Sequence, residues 1–301
     1  MSAELVVEIG RRPAWRSLVV ALAALRPRQW TKNLLLFAGI VFAAKLGDGV
    51  RWIEAVAAFA AYCAASSAAY LVNDVRDRAA DRDHPLKRHR PVARGDLSVR
   101  TALGVAAALA VLALGLTAFL GVRSLALLAA FAVLQAAYTV RLKQVALVDV
   151  LAIAALFVVR ASAGAVAVDV RISPWLLVCT GLLALFLALG KRRGELMLVE
   201  AQATPGRAVL STYSLRVLDG ALTIVALTTV GVYAAYTVSA HDASALPATI
   251  PFVAFGVFRY VFLLRRRGLG EEPDQVLVTD KPILVAVALW VLVCAAVLAA
   301  G

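Results

Sequence analysis

Apolar runs of membrane-spanning length repeat along the whole chain and limit its possible folds more than any other feature. A helix needs about 20 mostly apolar residues to cross a bilayer. Nine candidate spans can be marked, of which the first is short: 33–46, 53–72, 102–121, 124–140, 147–168, 174–190, 218–239, 248–264 and 282–300. Charged residues make up only 17% of the chain, against about 25% in a soluble domain. The sequence therefore excludes a water-soluble globular protein and predicts an all-α integral membrane protein, a bundle of about nine transmembrane helices.

The distribution of basic residues predicts how these spans are oriented. The chain has 31 lysines and arginines. Of these, 25 fall in alternate connections and four fall in or beside the connections between them. The basic connections are 1–32, 73–101, 141–146, 191–217 and 265–281. Because lysine and arginine collect on the cytoplasmic side of membrane proteins, we expect a multi-pass plasma-membrane protein with a cytoplasmic N-terminus and an external C-terminus.

A single polytopic domain over residues 1–301 is expected, because no low-complexity linker separates the spans. Residues 1–32 would form a cytoplasmic tail and an interfacial helix. The two long cytoplasmic segments, 73–101 and 191–217, carry most of the reactive side chains, so we expect the active-site loops there. A net charge of +12 would suggest nucleic-acid binding in a soluble protein. Here the membrane charge bias accounts for it, and no nucleic-acid partner is predicted.

An acidic motif follows directly on the second span and is the sharpest chemical signal in the sequence. It reads Asn73-Asp74-x-x-Asp77-x-x-x-Asp81. If the helix continues through it, Asp77 lies about 60° and Asp81 about 20° from Asp74 around the helix axis. Like charges at these spacings repel, and Mg²⁺ with a bound diphosphate removes the repulsion. The motif predicts a Mg²⁺–diphosphate site; the alternative is a solvated helix whose aspartates pair with neighbouring arginines.

Basic residues follow the acidic motif in a turn-rich segment. Lys87 and Arg90 lie between Pro85 and Gly95, and ammonium and guanidinium groups suit phosphate oxygens. Ordinary cytoplasmic charge is the other interpretation, and the sequence leaves both open for each residue.

One arginine, Arg160, lies in the interior of the fifth span. A charge at that depth is costly, so its side chain should face the bundle interior. Asp149 precedes it near the cytoplasmic end of the span and lies about 20° from it around the helix. The shared face would then line a polar cavity open to the cytoplasm. An ion pair between Arg160 and another helix is the alternative.

Charged and hydroxyl-bearing side chains also collect around the second long segment and the span ends beside it. They are Lys32, Tyr138, Lys143, Lys191, Arg192, Glu195, Tyr213 and Asp219. Facing the aspartates, such a set would form the second side of a clamp for a polyphosphate. A local ion pair between Lys191 and Glu195 and a membrane-surface anchor at Lys32 are the plainer interpretations.

The acidic motif after the second of nine spans resembles that of the UbiA superfamily of intramembrane prenyltransferases. Most of that superfamily carries an Asp-x-x-x-Asp in the second reactive loop, where this chain has Lys191-Arg192-Arg193-Gly194-Glu195. Five further motifs resemble the decaprenyl-phosphate phosphoribosyltransferase branch. They are Arg26-Pro27-x-Gln29-Trp30-x-Lys32-Asn33, His84-Pro85-x-Lys87-x-x-Arg90-Pro91, Phe157-Val158-Val159-Arg160, Leu189-Gly190-Lys191-Arg192-Arg193 and Tyr213-Ser214-x-x-x-x-Leu218-Asp219.

The resemblance implies Mg²⁺-dependent transfer of 5-phosphoribosyl from phosphoribosyl diphosphate to decaprenyl (polyprenyl) phosphate within the lipid bilayer. Diphosphate is released, and the product serves cell-wall arabinan synthesis. Asp74, Asp77 and Asp81 would be metal ligands and catalytic, and Arg160 would reach a phosphate deeper in the cavity. The remaining substrate-binding candidates are Asn73, Lys32, Lys87, Arg90, Tyr138, Lys143, Lys191, Arg192, Glu195, Tyr213 and Asp219. Whether the protein forms a homo-oligomer stays open.

Two other functions remain open at this point. A prenyltransferase using a prenyl diphosphate donor is one, although the second Asp-x-x-x-Asp is missing. A transporter of an anionic solute is the other, and it would favour helices broken near the membrane midplane. In this chain the glycines and prolines lie mostly near the span ends.

Overall fold

Helices account for nearly all of the described structure. The computed structural model describes residues 14–42, 47–84, 87–201, 208–239, 245–267, 276 and 279–300. Within these ranges seven helices are long and apolar enough to cross a membrane, and an eighth apolar helix lies at the C-terminal end. The predicted all-α membrane bundle is therefore confirmed, and the number of helices roughly matches the predicted nine.

The helices are numbered α1 to α12 in chain order. They are α1 Ala14–Leu25, α2 Ala38–Phe42, α3 Gly49–Arg76, α4 Arg78–Asp83, α5 Pro91–Arg94, α6 Val99–Phe119, α7 Val122–Val140, α8 Val148–Ala167, α9 Pro174–Glu200, α10 Leu215–Ser239, α11 Ile250–Arg267 and α12 Lys281–Ala300. Five short 3₁₀ helices lie between them: Pro27–Phe37, Lys87–His89, Leu142–Gln144, Ala208–Thr212 and Leu246–Thr249.

The first predicted span, 33–46, differs from a regular membrane helix. Its first part belongs to the 3₁₀ helix Pro27–Phe37 and its next part to the five-residue helix α2; residues 43–46 lie outside the described ranges. Polar contacts hold this segment along α3: the Trp30 indole donates to Ser67 Oγ at 3.0 Å, and Ser67 donates to the Leu25 carbonyl at 2.8 Å. Side-chain partners of this kind permit an irregular backbone inside a membrane protein.

Gly164 of α8 allows the 3₁₀ helix to pack directly on the backbone of α8. A Cβ atom at Gly164 would lie 2.2 Å from the Leu36 carbonyl oxygen. No side chain fits that space, so glycine is needed for the close approach. This contact fixes the register of the two elements and places Asn33 beside Arg160, one helical turn away.

The two largest clusters of core residues within the described ranges both include residues of α8. One cluster packs α3 and α7 around Tyr62 and Phe131, whose rings lie 5.1 Å apart. The other packs α9 and α11 around Phe186 and Tyr260, with ring centres 5.2 Å apart.

Candidate functional residues gather at one end of the bundle, where α3, α7 and α9 finish and α8 and α10 begin. We call this the polar end. Helix α9 continues to Glu200, so the predicted loop 191–217 begins as helix because its first residues stay packed against α8 and α10. Parts of the predicted cytoplasmic segments lie outside the described ranges: 1–13, 85–86, 202–207 and 268–275.

Candidate active site

Two aspartates of the acidic motif share one arginine nitrogen. Arg90 Nη1 lies 3.2 Å from Asp74 Oδ1 and 2.7 Å from Asp81 Oδ2. Arg26 adds a second cation to Asp74, with Nη2 at 2.5 Å from Oδ1. Asp74 and Asp81 are almost fully buried. Arg26 is distant in sequence from the other three residues. Together the four form one cluster of two carboxylates and two guanidinium groups at the polar end.

The backbone changes direction inside the acidic motif. Helix α3 ends at Arg76, and Asp77 has φ −89° and ψ 6° before α4 begins at Arg78. The expected single helix through residues 73–81 is therefore interrupted at this one residue. The backbone bonds continue across it, since the Asp77 amide donates to the Asn73 carbonyl at 2.9 Å and the Asp81 amide to the Asp77 carbonyl at 2.8 Å. Asp81 is still brought back to Asp74 through Arg90. Asp77 instead lies 3.9 Å from Lys143 Nζ.

Neighbouring arginines do not supply the partners of Asp74 and Asp81 among the described residues. Arg78 donates to the Val92 carbonyl at 3.2 Å and Arg82 to the Ala93 carbonyl at 3.0 Å. These bonds hold α5 against α4, so the segment that carries Arg90 is fixed beside the aspartates. Lys87 lies in the preceding 3₁₀ helix, where its amide bonds to His84 Nδ1 at 3.4 Å.

A second charged cluster joins α7, α8 and α9. The Arg192 side chain is fully buried, with Nε at 2.8 Å from Asp149 Oδ2. Its Nη1 bonds to Glu195, one turn further along α9, and its Nη2 lies 3.3 Å from the Tyr138 hydroxyl. Arg192 therefore organises two carboxylates. Its Nη groups bond to Glu195 and Tyr138, while Nε makes a close ionic contact with Asp149 Oδ2 without hydrogen-bond geometry.

Tyr213 connects this cluster to the segment that precedes α10. Its hydroxyl donates to Asp149 Oδ1 at 2.7 Å and accepts from the Leu147 amide at 2.7 Å. Burial and the hydrogen bond to Asp149 raise the pKa of Tyr213 to about 12, so the hydroxyl stays protonated as the donor. Leu147 has φ +65°, which costs energy for a branched side chain, and the Tyr213 bond helps to hold it.

Lys191 and Lys32 bring further positive charge to the same region. The two ammonium groups lie close enough to repel each other, and Lys191 also interacts with Glu195 and Arg192. Lys32 bonds to Gln29. Two cations held near each other favour an anion between them.

Arg160 is buried in the bundle interior, as predicted, but its contacts are with neutral groups. Nε donates to Asn33 Oδ1 at 2.8 Å and Nη1 to the Leu156 carbonyl at 3.1 Å. The guanidinium lies over the rings of Phe131 and Phe157, at 4.6 and 5.4 Å from their centres. Asp149, on the same helix face, is engaged instead by Arg192.

Asp219 is held by Arg193, which was not among the predicted site residues. Arg193 Nε lies 2.6 Å from Asp219 Oδ1, and Arg193 Nη1 donates to the Leu264 carbonyl at 3.1 Å. This pair ties α9, α10 and α11 together. Arg26 was also missed as a site residue. In the sequence it could have been found from its position, three residues before the polar segment 29–33.

Metal-binding geometry is not completed by the described side chains alone. No three Asp, Glu, His or Cys side chains in the described ranges converge as they would around one metal ion. Asp74 and Asp81 nevertheless present oxygen atoms to one cationic point, the Arg90 nitrogen. The chemistry of this donor set, two carboxylates around one positive charge, is the kind that a hard divalent cation requires.

Comparisons with known proteins found a family and relatives that match most of this chain. The sequence matches the UbiA prenyltransferase family over residues 34–277. It is 33% identical over 288 residues to the decaprenyl-phosphate phosphoribosyltransferase of Mycolicibacterium smegmatis, covering 90% of this chain and 89% of that protein. It is 36% identical over 282 residues to the enzyme of the same name from Corynebacterium glutamicum, covering 90% and 84%.

The fold has a solved counterpart as well. A UbiA homolog from Archaeoglobus fulgidus, solved with GPP and Mg²⁺ bound, superimposes with a TM-score of 0.72 at 19% identity. The match covers 93% of this chain and 99% of that one. With the family match spanning most of the chain and the relatives aligned almost end to end, the chain belongs to the UbiA prenyltransferase family.

Proposed function

We propose that the protein is a decaprenyl-phosphate phosphoribosyltransferase. It would transfer 5-phosphoribosyl from phosphoribosyl diphosphate to decaprenyl or another polyprenyl phosphate and release diphosphate. The phosphoribosylated lipid would then serve as a precursor for cell-wall arabinan. The names of the relatives from M. smegmatis and C. glutamicum support this activity.

The single observation that carries the proposal is the charge difference between the two sides of the polar end. On the acidic side, Asp74 and Asp81 are balanced by Arg26 and Arg90. On the other side, Arg192 is paired with Asp149 and Glu195, and Lys32 and Lys191 add two cations, so this side has one cation in excess. An enzyme that handles two phosphorylated partners needs cations for phosphates that bring no metal of their own. Of these, Lys191 is the better phosphate ligand, because Arg192 is committed to Asp149 and Glu195.

Magnesium fits the acidic side of this site. Asp74 and Asp81 would hold the ion, with Asp77 close enough on the same turn to contribute through water. When bound, Mg²⁺ would neutralise the diphosphate of the donor and stabilise it as a leaving group. Arg26 and Arg90 would then be available for the diphosphate oxygens, since guanidinium groups bind phosphate in the same geometry as carboxylate.

The reaction follows from how these groups would place the two substrates. The bond between ribose C1 and the diphosphate oxygen breaks as positive charge develops on the ribose. Arg90 and Arg26 would stabilise the charge that gathers on the diphosphate. Lys191 and Lys32 would hold the polyprenyl phosphate so that its ionised oxygen attacks C1 from the opposite face. That oxygen carries no proton to remove, so no general base is required. Asn73, Lys87, Lys143 and Tyr138 are proposed as further substrate contacts at the rim.

The polar end would face the cytoplasm. The five segments that contain 25 of the 31 basic residues would lie at this end, and the positive-inside bias then predicts that this end faces the cytoplasm, with the C-terminus outside. Phosphoribosyl diphosphate, a soluble anion, would enter from there, and the polyprenyl phosphate would enter from the bilayer.

A donor competition tests the proposal. Purified protein in nanodiscs is offered phosphoribosyl diphosphate and a prenyl diphosphate together, with polyprenyl phosphate and an aromatic acceptor. We expect phosphoribosylated lipid alone. Transfer of the prenyl group, with phosphoribosyl diphosphate left unused, would favour the UbiA-type prenyltransferase instead. The Lys191→Glu variant is the matched control: it should lose transfer to polyprenyl phosphate because a carboxylate repels the lipid phosphate.

A further inference from the structure

Arg160 differs from the other buried arginines in what it pairs with. Three arginines are buried within the described ranges: Arg160, Arg192 and Arg193. Arg192 has a carboxylate of Asp149 at 2.8 Å, and Arg193 has one of Asp219 at 2.6 Å. For Arg160 the described residues provide no carboxylate, only the Asn33 amide oxygen and the Leu156 carbonyl. A buried cation that meets only neutral dipoles is costly in a membrane protein.

The guanidinium of Arg160 has hydrogen-bond donors to spare. Five N–H bonds are available on a guanidinium, and the contacts in the described residues use Nε and Nη1. Nη2 therefore has both of its hydrogens available within this part of the chain. The rings of Phe131 and Phe157 lie against the cation, and beside apolar groups its attraction for an anion is stronger than in water.

The position of Arg160 relates it to the acidic cluster. It lies eleven residues below Asp149 on α8, about 16 Å of helix rise. Helical side chains point back toward the helix N-terminus, so its guanidinium is directed toward the polar end. It interacts electrostatically with Tyr70, and the Tyr70 ring is also covered by Arg26, 4.9 Å away. Arg26 contacts Asp74. Asn33, which holds Arg160, contacts Cys63 on α3, so Tyr70 lies along α3 between the level of Arg160 and the acidic cluster.

From these contacts we infer that Arg160 binds the 5-phosphate of the sugar donor. This inference rests on the proposed function. With the diphosphate at Asp74 and Asp81, the second anionic end of phosphoribosyl diphosphate lies across the ribose, in the direction of Tyr70 and Arg160. The lipid phosphate has a different constraint, because its attacking oxygen must come to about 3 Å from C1 before the bond can form. Its place is therefore next to C1, on the face opposite the leaving diphosphate, and not at the far end of the sugar.

Asn33 positions this arginine. Its amide oxygen accepts from Arg160 Nε, and its amide nitrogen donates to Cys63 Sγ at 3.3 Å. A neutral partner orients the guanidinium and leaves its charge available for phosphate. Replacing the amide with a carboxylate of the same shape would neutralise the arginine inside the protein.

Equilibrium binding of two fragments tests the inference without requiring turnover. Dissociation constants of ribose 5-phosphate and of inorganic diphosphate with Mg²⁺ are measured on the purified protein and on Arg160→Gln. We expect Arg160→Gln to weaken ribose 5-phosphate binding about 10- to 100-fold, the loss of one charge-assisted contact. Diphosphate binding should change less than about threefold by the same measure. Equal weakening of both fragments, or of neither, would overturn the inference.

Two further variants keep the test decisive if Arg160→Gln folds poorly. Asn33→Asp retains Arg160 but adds a carboxylate beside it, so it should also weaken ribose 5-phosphate selectively. A purely structural arginine would instead gain a partner, and the melting temperature would rise with ribose 5-phosphate binding unchanged. Arg160→Lys should restore part of the affinity.

The kinetics separate this inference from the proposed function. If wild-type protein transfers phosphoribosyl but Arg160→Gln raises the KM for polyprenyl phosphate instead of the sugar donor, the function stands and the assignment of Arg160 is wrong. If wild-type protein transfers no phosphoribosyl group, the proposed function fails.

Discussion

Arg192 and Asp149 form an ion pair at 2.8 Å in which neither side chain is exposed. The pair joins the start of α8 to the later part of α9, and Arg192 also binds Glu195. Adjacent residues of α9 therefore have different roles: Lys191 is directed to the cationic region around Lys32, while Arg192 holds the helices together. The predictions for the second segment follow from this division.

Lys191→Ala and Arg192→Ala should have different consequences. Removing one partner of a buried ion pair costs about 3–5 kcal/mol, so Arg192→Ala should lower the melting temperature and the yield of folded protein. Lys191→Ala leaves that pair intact and should weaken substrate binding or turnover about 10- to 100-fold at an unchanged melting temperature. Thermal unfolding and steady-state kinetics on both variants provide the comparison. A fully stable Arg192→Ala would contradict the structural role of Arg192.

Asp74→Asn and Asp81→Asn should each abolish most activity while the protein remains folded in the membrane. Each substitution removes a buried carboxylate that faces Arg90 and the proposed metal position. Asp83→Asn is the matched control, because Asp83 lies two residues beyond Asp81 at the exposed end of α4. Binding of Mn²⁺ with diphosphate, followed by electron paramagnetic resonance, should weaken in the first two variants only. Equal effects at positions 81 and 83 would show that the acidic cluster is not the metal site.

Tyr213 should give the protein an alkaline limit of stability. Its pKa is raised to about 12 by burial and by Asp149, against about 10 in an unfolded chain. The neutral hydroxyl therefore stabilises the fold fully below pH 10, and this contribution is lost as the pH rises through 12. Tyr213→Phe should be less stable than wild type at pH 8, and the difference should shrink by pH 11. Melting temperatures at the two pH values test this, and a constant difference would exclude the titration of Tyr213.

The orientation of the bundle can be tested by labelling single cysteines. Arg88→Cys and Arg216→Cys occupy exposed positions at the polar end and should react only with reagents that enter the cytoplasm. Val122→Cys lies 79% exposed in the turn at the opposite end and should react with an impermeant reagent from outside. Labelling of positions 88 and 216 from outside would reverse the proposed orientation.

Sequence patterns were sufficient for the membrane bundle, but not for the way in which the charged residues at the polar end pair. Apolar periodicity and charge alternation depend on local composition, so the spans could be predicted. The Arg26–Asp74 and Arg192–Asp149 contacts join residues far apart in sequence, and only the packing of α3, α8 and α9 brings them together. The sequence also did not show which face of α9 packs against α8. It favoured Arg192 as a phosphate ligand, whereas packing buries Arg192 against α8.

Local backbone features limited the prediction in a second way. The interruption at Asp77 is confined to one residue with φ −89° and ψ 6°, and the helical spacing of the aspartates did not predict it. The 3₁₀ helix at Pro27–Phe37 depends on the close approach of Leu36 to Gly164, a contact between distant segments. Both features reposition residues of the candidate site.

Following two labels from one donor is the most direct test of phosphoribosyl transfer to polyprenyl phosphate. Phosphoribosyl diphosphate labelled with ¹⁴C in the ribose and ³²P at the 5-phosphate is incubated with purified protein, polyprenyl phosphate and Mg²⁺, and the lipid is extracted. We expect both labels to enter the lipid in equal amounts, with unlabelled diphosphate left in the water phase. A lipid fraction without label, from protein that transfers a prenyl group when a prenyl diphosphate and an acceptor are supplied instead, would contradict it.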